Sequence, residues 1–451
     1  MTLTSHWNGS MTEKEHYDLL THTGPGTPCG ALLRRYWQPA ALSEELPPGG
    51  APLAVKLLGE ELVLFRDDDG RPGLLGLHCS HRGADLSYGR LENGGLRCIY
   101  HGWLYDIRGR CLDQPGEPGG GENRSAIRHP AYPCRERAGV IFTYMGPGEP
   151  PLLPNFDFVA APEDHVFATK IFSECNYLQG NEGNIDLLHV SFLHYTEQDL
   201  RADNAVNRPG VHGSPEALSS RGSAPTMERI EAELVEVGLR VCKIRNLGSN
   251  QQYIRVGTLI LPNLYAFPAG GLNWHVPIDD THHWKYVISF DKDKPYDKEA
   301  LRRNRDRLTP PPDYKPVMNR ANRYLQEREF MKAKSYSGIG TTYFAAQDLC
   351  VTEGAGSIAD RTQEHLMVSD APIVTGRKLL AGAIRNIQEG RDPPGIVRDP
   401  GLNRFSTIVA TSAVIPHTVH WKDHCRMLIA DGRGWVGRPD LVQAIVGQST
   451  P

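Results

Sequence analysis

Three things are missing from this sequence, and each absence excludes a class of protein. No run of about eighteen apolar residues occurs, so no membrane-spanning helix is expected. Basic residues are not in excess: 49 Lys and Arg stand against 53 Asp and Glu, which argues against an electrostatic affinity for nucleic acid. The nine cysteines lack the spacing of a disulfide framework, which favours free thiols in a reducing, cytoplasmic compartment.

Two short segments each supply one cysteine and one histidine: Cys79 with His81, and Cys98 with His101. This donor set suits a [2Fe–2S] cluster in which two thiolates bind one iron and two imidazoles bind the other. Structural zinc also accepts two Cys and two His, but zinc fingers usually keep the two residue types on separate elements. Mixed, glycine-rich loops therefore predict a Rieske-type cluster. Trp103 is expected to pack over the second loop, with ordinary core packing as the alternative.

A second group of metal-binding residue types lies further along the chain. The segment that begins at Asn176 contains Asp186, His189 and His194, and we predict that it is helical as far as His189. Two His and one carboxylate on one face of iron(II) leave positions open for O₂ and substrate. Residues five apart on a regular helix are separated by about 140°. The helix must therefore be interrupted between His189 and His194 if both bind one ion.

The carboxylate ligand of this second site must come from a distant segment. Asp348 is the best candidate, because it lies in a mostly apolar, helical stretch where a buried acid needs a partner. Glu353 and Asp360 compete with it on the same segment, and a solvated helix face is the alternative. Asp186 and His189 are three apart, so we expect them on one face of the predicted helix.

The chain divides into three segments of different character, with an α+β fold overall. Residues 1–40 are predicted to form a helical segment that packs on the third segment. Residues 41–148 form a small all-β domain that holds the two cysteine loops. Residues 149–451 form an α+β domain with an antiparallel sheet, including strands at 229–245, 253–261 and 284–290, a helix at 366–388, and a long Gly- and Pro-rich loop at 199–227.

Taken together, these motifs resemble the large (alpha) subunits of Rieske non-haem iron aromatic-ring hydroxylating oxygenases, in the phthalate-dioxygenase-like branch. The resemblance covers nearly the whole chain, including Gln347-Asp348, and is most specific at the two metal motifs. It implies a helix-grip (START-like) catalytic domain, whose antiparallel sheet wraps around a long helix. It also implies a [2Fe–2S] Rieske cluster on the two Cys/His loops and a mononuclear iron(II) held by His189, His194 and Asp348.

The resemblance also implies partners. In this family the subunits form a trimer, or two stacked trimers, and the cluster of one subunit reduces the mononuclear iron of the next. Asp186 would bridge the boundary between them, accepting from His189 and from a cluster histidine of the neighbouring subunit. Electrons would come from a separate NAD(P)H-dependent reductase that carries flavin and an iron–sulfur centre. No nucleic acid and no membrane are expected among the partners.

The implied function is that of a terminal oxygenase, which uses O₂ to hydroxylate or dihydroxylate an aromatic, carboxylated substrate. Two alternatives stay open: a monooxygenase or O-demethylase acting on an aromatic ether or a small aliphatic ether or alcohol, and an electron carrier without oxygen chemistry. Arg245, on a predicted core strand, could pair with a substrate carboxylate. A position facing solvent, or a bond to Glu233 or Glu236, is the alternative for this arginine.

Overall fold

The computed structural model describes residues 12–122, 124–195, 229–248, 250–268, 270–340 and 343–435. The predicted loop at 199–227 lies outside these ranges. None of the described helices has the length and the hydropathy needed to cross a membrane. All nine cysteines fall within the described ranges, and none of them forms a disulfide.

The described helices and strands follow one another as an N-terminal helical pair, an all-β part and an α+β part. The helices are α1 (Glu13–Thr21), α2 (Pro28–Arg34), α3 (Asp157–Ala160), α4 (Tyr177–Ile185), α5 (Lys298–Leu308), α6 (Arg328–Ala333), α7 (Phe344–Gly354), α8 (Ala371–Gln388) and α9 (Trp421–Ala430). The strands of the all-β part are β1 (Trp37–Leu42), β2 (Leu53–Leu57), β3 (Glu60–Arg66), β4 (Pro72–Gly76), β5 (Arg90–Glu92), β6 (Gly95–Arg97), β7 (Leu104–Tyr105), β8 (Cys111–Asp113), β9 (Ala131–Tyr132), β10 (Cys134–Arg137) and β11 (Val140–Tyr144). Those of the α+β part are β12 (Val166–Ser173), β13 (Arg229–Val235), β14 (Gly238–Gly248), β15 (Gln251–Ile260), β16 (Leu264–Phe267), β17 (Gly271–Pro277), β18 (His283–Phe290) and β19 (Thr411–Pro416).

The all-β part consists of small antiparallel sheets in the orders β1-β11-β10, β2-β3-β4-β9 and β5-β6-β7-β8. The connections β4–β5 and β6–β7 are loops, and these loops carry the four predicted cluster residues. Leu86, Leu96 and Tyr105 are fully buried beneath the loops. Strand β1 begins at Trp37 and pairs with β11, so it straddles the predicted boundary at residue 40. The strands thus mark no boundary at residue 40, and the domain boundaries given above stay predictions.

The α+β part is built on one antiparallel sheet in the order β12-β18-β17-β16-β15-β14-β13, with β19 paired to β15. Helices α4 and α8 pack on this sheet, and α1 and α2 pack on α8. The absence of a side chain at Gly376 of α8 lets Ile185 approach closely, because an added Cβ would lie 3.1 Å from it. The predicted combination of an all-β domain with an antiparallel sheet and helices is confirmed.

Two of the predicted elements differ in detail. The strand expected at 229–245 is a hairpin of β13 and β14, which turns before Gly238, where φ is 150°. The helix expected at 366–388 begins at Ala371, and Pro372 lies in its first turn. Proline is favoured there because its missing amide hydrogen would have no partner in the first turn of a helix.

Candidate active site

The two cysteine loops of the all-β part have the same backbone shape. The amide of Gly83 donates to the carbonyl of Cys79 (2.8 Å), and the amide of Gly102 donates to the carbonyl of Cys98 (3.0 Å). Both glycines have a positive φ, of 73° and 77°, which a residue with a Cβ adopts only with strain. Each loop therefore turns back within two residues of its histidine, and the two turns face each other.

The four predicted cluster residues meet where these loops face each other. The imidazole rings of His81 and His101 have their centroids 4.4 Å apart. Both cysteines are buried, and burial together with the neighbouring Cys98 thiol raises the pKa of Cys79. Nδ1 of His81 is buried and has no hydrogen-bond partner among the described residues, which is costly unless the atom binds something else. These residues fit a [2Fe–2S] cluster held by two thiolates and two imidazoles.

Two aromatic side chains support the cluster loops. Trp103 packs on a cluster loop, but it stacks on His81 of the first loop rather than over the second as expected, with ring centroids 4.6 Å apart and an interplanar angle of 5°. The hydroxyl of Tyr105 lies 3.2 Å from Sγ of Cys79, where it can donate to a thiolate. Such hydrogen bonds to sulfur are one of the factors that set the reduction potential of a cluster. The sequence motif does not reveal Tyr105, because the contact depends on how β7 packs under the loop.

Helix α4 ends earlier than predicted. It stops at Ile185, and Asp186 has a ψ of 100°, outside the helical range. Oδ1 of Asp186 accepts from the amides of Leu188 (2.8 Å) and His189 (3.3 Å), a local bonding pattern that competes with the helix. The expectation that Asp186 and His189 share a helical face is therefore wrong. The predicted break before His194 is present, since a 3₁₀ turn at His189–Ser191 leads into a non-helical residue.

His189, His194 and Asp348 come together at the end of this segment. Nε2 of His194 lies 2.9 Å from Oδ1 of Asp348, and Nε2 of His189 lies 3.7 Å from the same oxygen. One donor atom from each residue lies within 4.8 Å of the others. Asp348 projects from α7, which is packed against α4. Two imidazoles and one carboxylate in this arrangement fit the 2-His-1-carboxylate site of non-haem iron(II).

The second nitrogen of each imidazole faces an oxygen atom, within hydrogen-bond distance in His194 and further away in His189. Nδ1 of His194 donates to Oε1 of Gln347 (2.7 Å), and Nε2 of Gln347 donates to the carbonyl of Ile339 (3.0 Å), which fixes the amide orientation. Nδ1 of His189 faces Oδ2 of Asp186 at 3.8 Å. Both imidazoles therefore point Nε2 at the proposed metal position, as outer hydrogen bonds commonly require. Gln347 was not predicted as a partner of His194, although a fully buried amide in an apolar helix is a signal.

Comparisons with known proteins agree with this geometry. Residues 36–131 match the family model for the Rieske [2Fe-2S] domain, and residues 143–432 match the model described as LigXa C-terminal domain like. The phthalate 4,5-dioxygenase oxygenase subunit of Pseudomonas putida is 32% identical over 95% of this chain and 99% of its own length. The phenoxybenzoate dioxygenase subunit alpha of Ectopseudomonas oleovorans is 33% identical over 84% of this chain and 87% of its own length. The chain belongs to the Rieske oxygenase family.

This oxygenase is the terminal component of a Rieske system, and its cofactors are a [2Fe–2S] cluster and a mononuclear non-haem iron. The electron-carrier alternative has no support. A solved oxygenase–ferredoxin complex of carbazole 1,9a-dioxygenase has the same fold, with a TM-score of 0.52 and 20% identity over 84% of this chain and 97% of its own. Rieske oxygenases act with electron-transfer partners of this kind.

The other candidate acids of the oxygenase are engaged elsewhere. Glu353 is buried, accepts from the Tyr324 hydroxyl, and accepts from the amide of Glu174 at 2.9 Å. Asp360 is bonded to the amide and the hydroxyl of Thr362. Neither carboxylate approaches the two histidines, so geometry selects Asp348 among the three predicted candidates.

Arg245 faces the site side of the sheet. It is 3% exposed, and its guanidinium lies 5.3 Å from the ring centroid of Tyr253. It shares a face of β14 with Lys243, whose Nζ donates to Oγ of Ser191 (2.8 Å), two residues after His189. Glu233 instead pairs with Arg240 (2.7 Å). The alternative of a solvent-facing Arg245 is therefore wrong.

A cavity of about 90 Å³ adjoins His189 and Asp348, two of the three proposed ligands. Its lining includes Asn184, Asp186, His189, His275, Lys285 and Asp348. Burial alone would raise the pKa of Asp348, but the charge of Lys285 and the two histidines outweigh burial and hold that pKa well below its usual range. Burial lowers the pKa of His189 and so favours the neutral imidazole, which is the form that binds metals.

Proposed function

We propose that this oxygenase holds its mononuclear iron(II) through His189, His194 and Asp348 and hydroxylates or dihydroxylates an aromatic carboxylate. The observation that carries the proposal is the convergence of three donor atoms within 4.8 Å, with the outer nitrogen of His194 bonded to Gln347. When bound, the iron supplies the activation of O₂, which no side chain of this chain can perform.

The chain itself positions the proposed ligands and leaves space beside them. Gln347 fixes the ring of His194, and the 3₁₀ turn at His189–Ser191 places His189 across from α7. The adjoining cavity leaves space next to His189 and Asp348. Reacting groups held in such a position react faster, because the entropy cost of orienting them has been met on binding.

Two buried, positively charged side chains of the sheet support the proposed substrate class. Arg245 and Lys243 lie on the inner face of β14, and an arginine fork pairs with a carboxylate through two parallel hydrogen bonds. The two relatives described above are named for phthalate and phenoxybenzoate, which are aromatic carboxylates. A substrate with a carboxylate on an aromatic ring matches both observations.

The proposed assembly is a homotrimer, or two stacked trimers, with head-to-tail contacts. Tyr88, Ile99 and Tyr100 expose 73%, 60% and 58% of their surface on or next to the cluster loops. Phe192 and Phe344, beside His194, expose 45% and 43% of their surface. Two unlike apolar patches on one chain suit a head-to-tail contact that closes into a ring. In such a ring Asp186 bridges His189 to the partner subunit's cluster, which an NAD(P)H-dependent reductase in the cytoplasm reduces.

A substrate panel tests the proposed chemistry. Purified oxygenase with a surrogate reductase and NADH is offered benzoates, phthalates, the matching uncharged amides, and aryl methyl ethers. O₂ uptake coupled to hydroxylated product should occur with the carboxylates, and ¹⁸O₂ should label the product. Turnover only with the ethers, with release of formaldehyde, would contradict the proposal.

Arg245→Met separates the substrate role from a structural one. We expect KM for the carboxylate to rise by about 30-fold, as for the loss of one member of a buried charge pair. Arg240→Met is the matched control, because Arg240 is equally buried on the opposite face of the same strand and pairs with Glu233. An equal change of KM in both variants would contradict the role of Arg245.

A further inference from the structure

The two carboxylate oxygens of Asp348 face different partners. Oδ1 lies 2.9 Å from Nε2 of His194 and 3.7 Å from Nε2 of His189. Oδ2 lies 3.3 Å from Nζ of Lys285. The two oxygens of this carboxylate therefore have different partners: Oδ1 lies near the two imidazoles, and Oδ2 lies near the lysine ammonium.

Lys285 has a clear physical reason to stay on that oxygen. Its side chain is 8% exposed, and a buried ammonium group is costly unless it is paired with a charge. Its neighbours on the inner sheet face are His275, directly opposite on β17, and His283, two residues before it on β18. Among the described residues, Asp348 is the one carboxylate within ion-pair distance of Lys285.

The neighbouring histidines offer no negative charge in place of Asp348. Nδ1 of His275 donates to Nε2 of His283 (2.9 Å), and Nδ1 of His283 donates to the carbonyl of Cys175 (2.7 Å). Nε2 of His275 accepts from the side-chain Nδ2 of Asn184 (2.6 Å). All four ring nitrogens are thus in use, which specifies a neutral tautomer for each ring.

We infer that Lys285 is a positioning residue, which reserves Oδ2 of Asp348 and leaves only Oδ1 for the metal. The inference rests on the proposed ligands His189, His194 and Asp348. A carboxylate that binds through one oxygen occupies one coordination position rather than two. Lys285 thereby keeps an additional position at the iron free for O₂ or substrate.

Cobalt(II) substitution measures this directly, because the intensity of the Co(II) d–d absorption falls as the coordination number rises. The oxygenase is freed of mononuclear iron, with its cluster intact, and titrated with Co(II). Lys285→Met should lower the d–d absorptivity, because Oδ2 becomes available to the metal. Lys285→Arg keeps a donor for Oδ2 and should keep the spectrum of the wild type.

Lys170→Met is the matched control. Lys170 is 4% exposed and pairs with Glu45 (2.7 Å), and it lies on the neighbouring strand β12, next to the residue opposite Lys285. Its loss should leave the Co(II) spectrum unchanged. An unchanged spectrum in Lys285→Met, or the same change in both variants, would overturn the inference.

Two further measurements keep the test decisive. If Lys285→Met does not fold, infrared difference spectra of ¹³C-aspartate-labelled wild type with and without metal report the splitting of the carboxylate stretches. A wide splitting supports binding through one oxygen, and a narrow one overturns it. If wild type and Asp348→Ala bind Co(II) equally, the proposed ligand set fails, whatever Lys285 does.

Discussion

The two metal regions of this oxygenase are built in opposite ways. The proposed cluster ligands come from two loops that repeat one backbone turn, closed by Gly83 and Gly102. The three proposed ligands of the mononuclear iron come from a broken helix end and from α7, which is distant in sequence. The first region depends on local turn geometry. The second depends on how α4, α7 and the sheet pack, so it is more sensitive to side chains around the ligands.

The largest expected effect tests the link between the two regions. Asp186→Asn keeps the size of the side chain but removes the charge that faces His189. We expect oxidation of the reduced cluster in a single turnover to slow by about 100-fold, with both metal centres retained. Stopped-flow absorbance of the cluster measures this, and Asp360→Asn is the control. An unchanged rate would show that electrons do not pass by Asp186.

The next effect concerns the support of the mononuclear ligands. Gln347→Leu removes the acceptor for Nδ1 of His194 while keeping the volume of the side chain. Loss of such an outer partner should weaken metal binding by about 10-fold. A titration with Co(II) checks this, and the exposed Gln363 supplies the control Gln363→Leu. Equal affinity in both variants would mean that the ring is held by packing alone.

A comparable change at the cluster should alter redox potential rather than metal binding. Tyr105→Phe removes the hydroxyl that lies 3.2 Å from Sγ of Cys79. A hydrogen bond to a charged group contributes about 1.5 kcal/mol, so the reduction potential should fall by about 60 mV. Redox titration followed by visible absorption measures it. Tyr88→Phe, on the exposed Tyr88, should leave the potential unchanged.

The smallest effect separates the two loops from each other. Gly83→Ala should lower the stability of the fold by about 1 kcal/mol, through the backbone strain of a positive φ alone. No atom lies within 4 Å of a Cβ added at this position. Gly102→Ala adds a clash, since the Cβ would lie 2.6 Å from Cγ of Pro115. Thermal unfolding should therefore show a greater loss of stability for Gly102→Ala. The reverse order would contradict the shared loop geometry.

The contrast between the regions also decides what could be predicted from the sequence. Cys79, His81, Cys98 and His101 are recognisable because their chemistry and spacing lie within short loops. Asp348 is predictable as an acid in an apolar helix.

The end of α4 was not predictable in the same way, because helical periodicity does not reveal that Oδ1 of Asp186 bonds to the amides of Leu188 and His189. Gln347, Lys285 and Tyr105 act through contacts set by packing between separate elements. Their roles become visible only when those elements are placed side by side.

Iron analysis of the purified oxygenase, combined with the visible spectrum of the cluster, tests the central claim most directly. The account predicts three irons per chain, two in the cluster and one mononuclear. Asp348→Ala should lose the mononuclear iron alone and keep the cluster spectrum. Two irons per chain in the fully loaded wild type, or an unchanged iron content in Asp348→Ala, would contradict it.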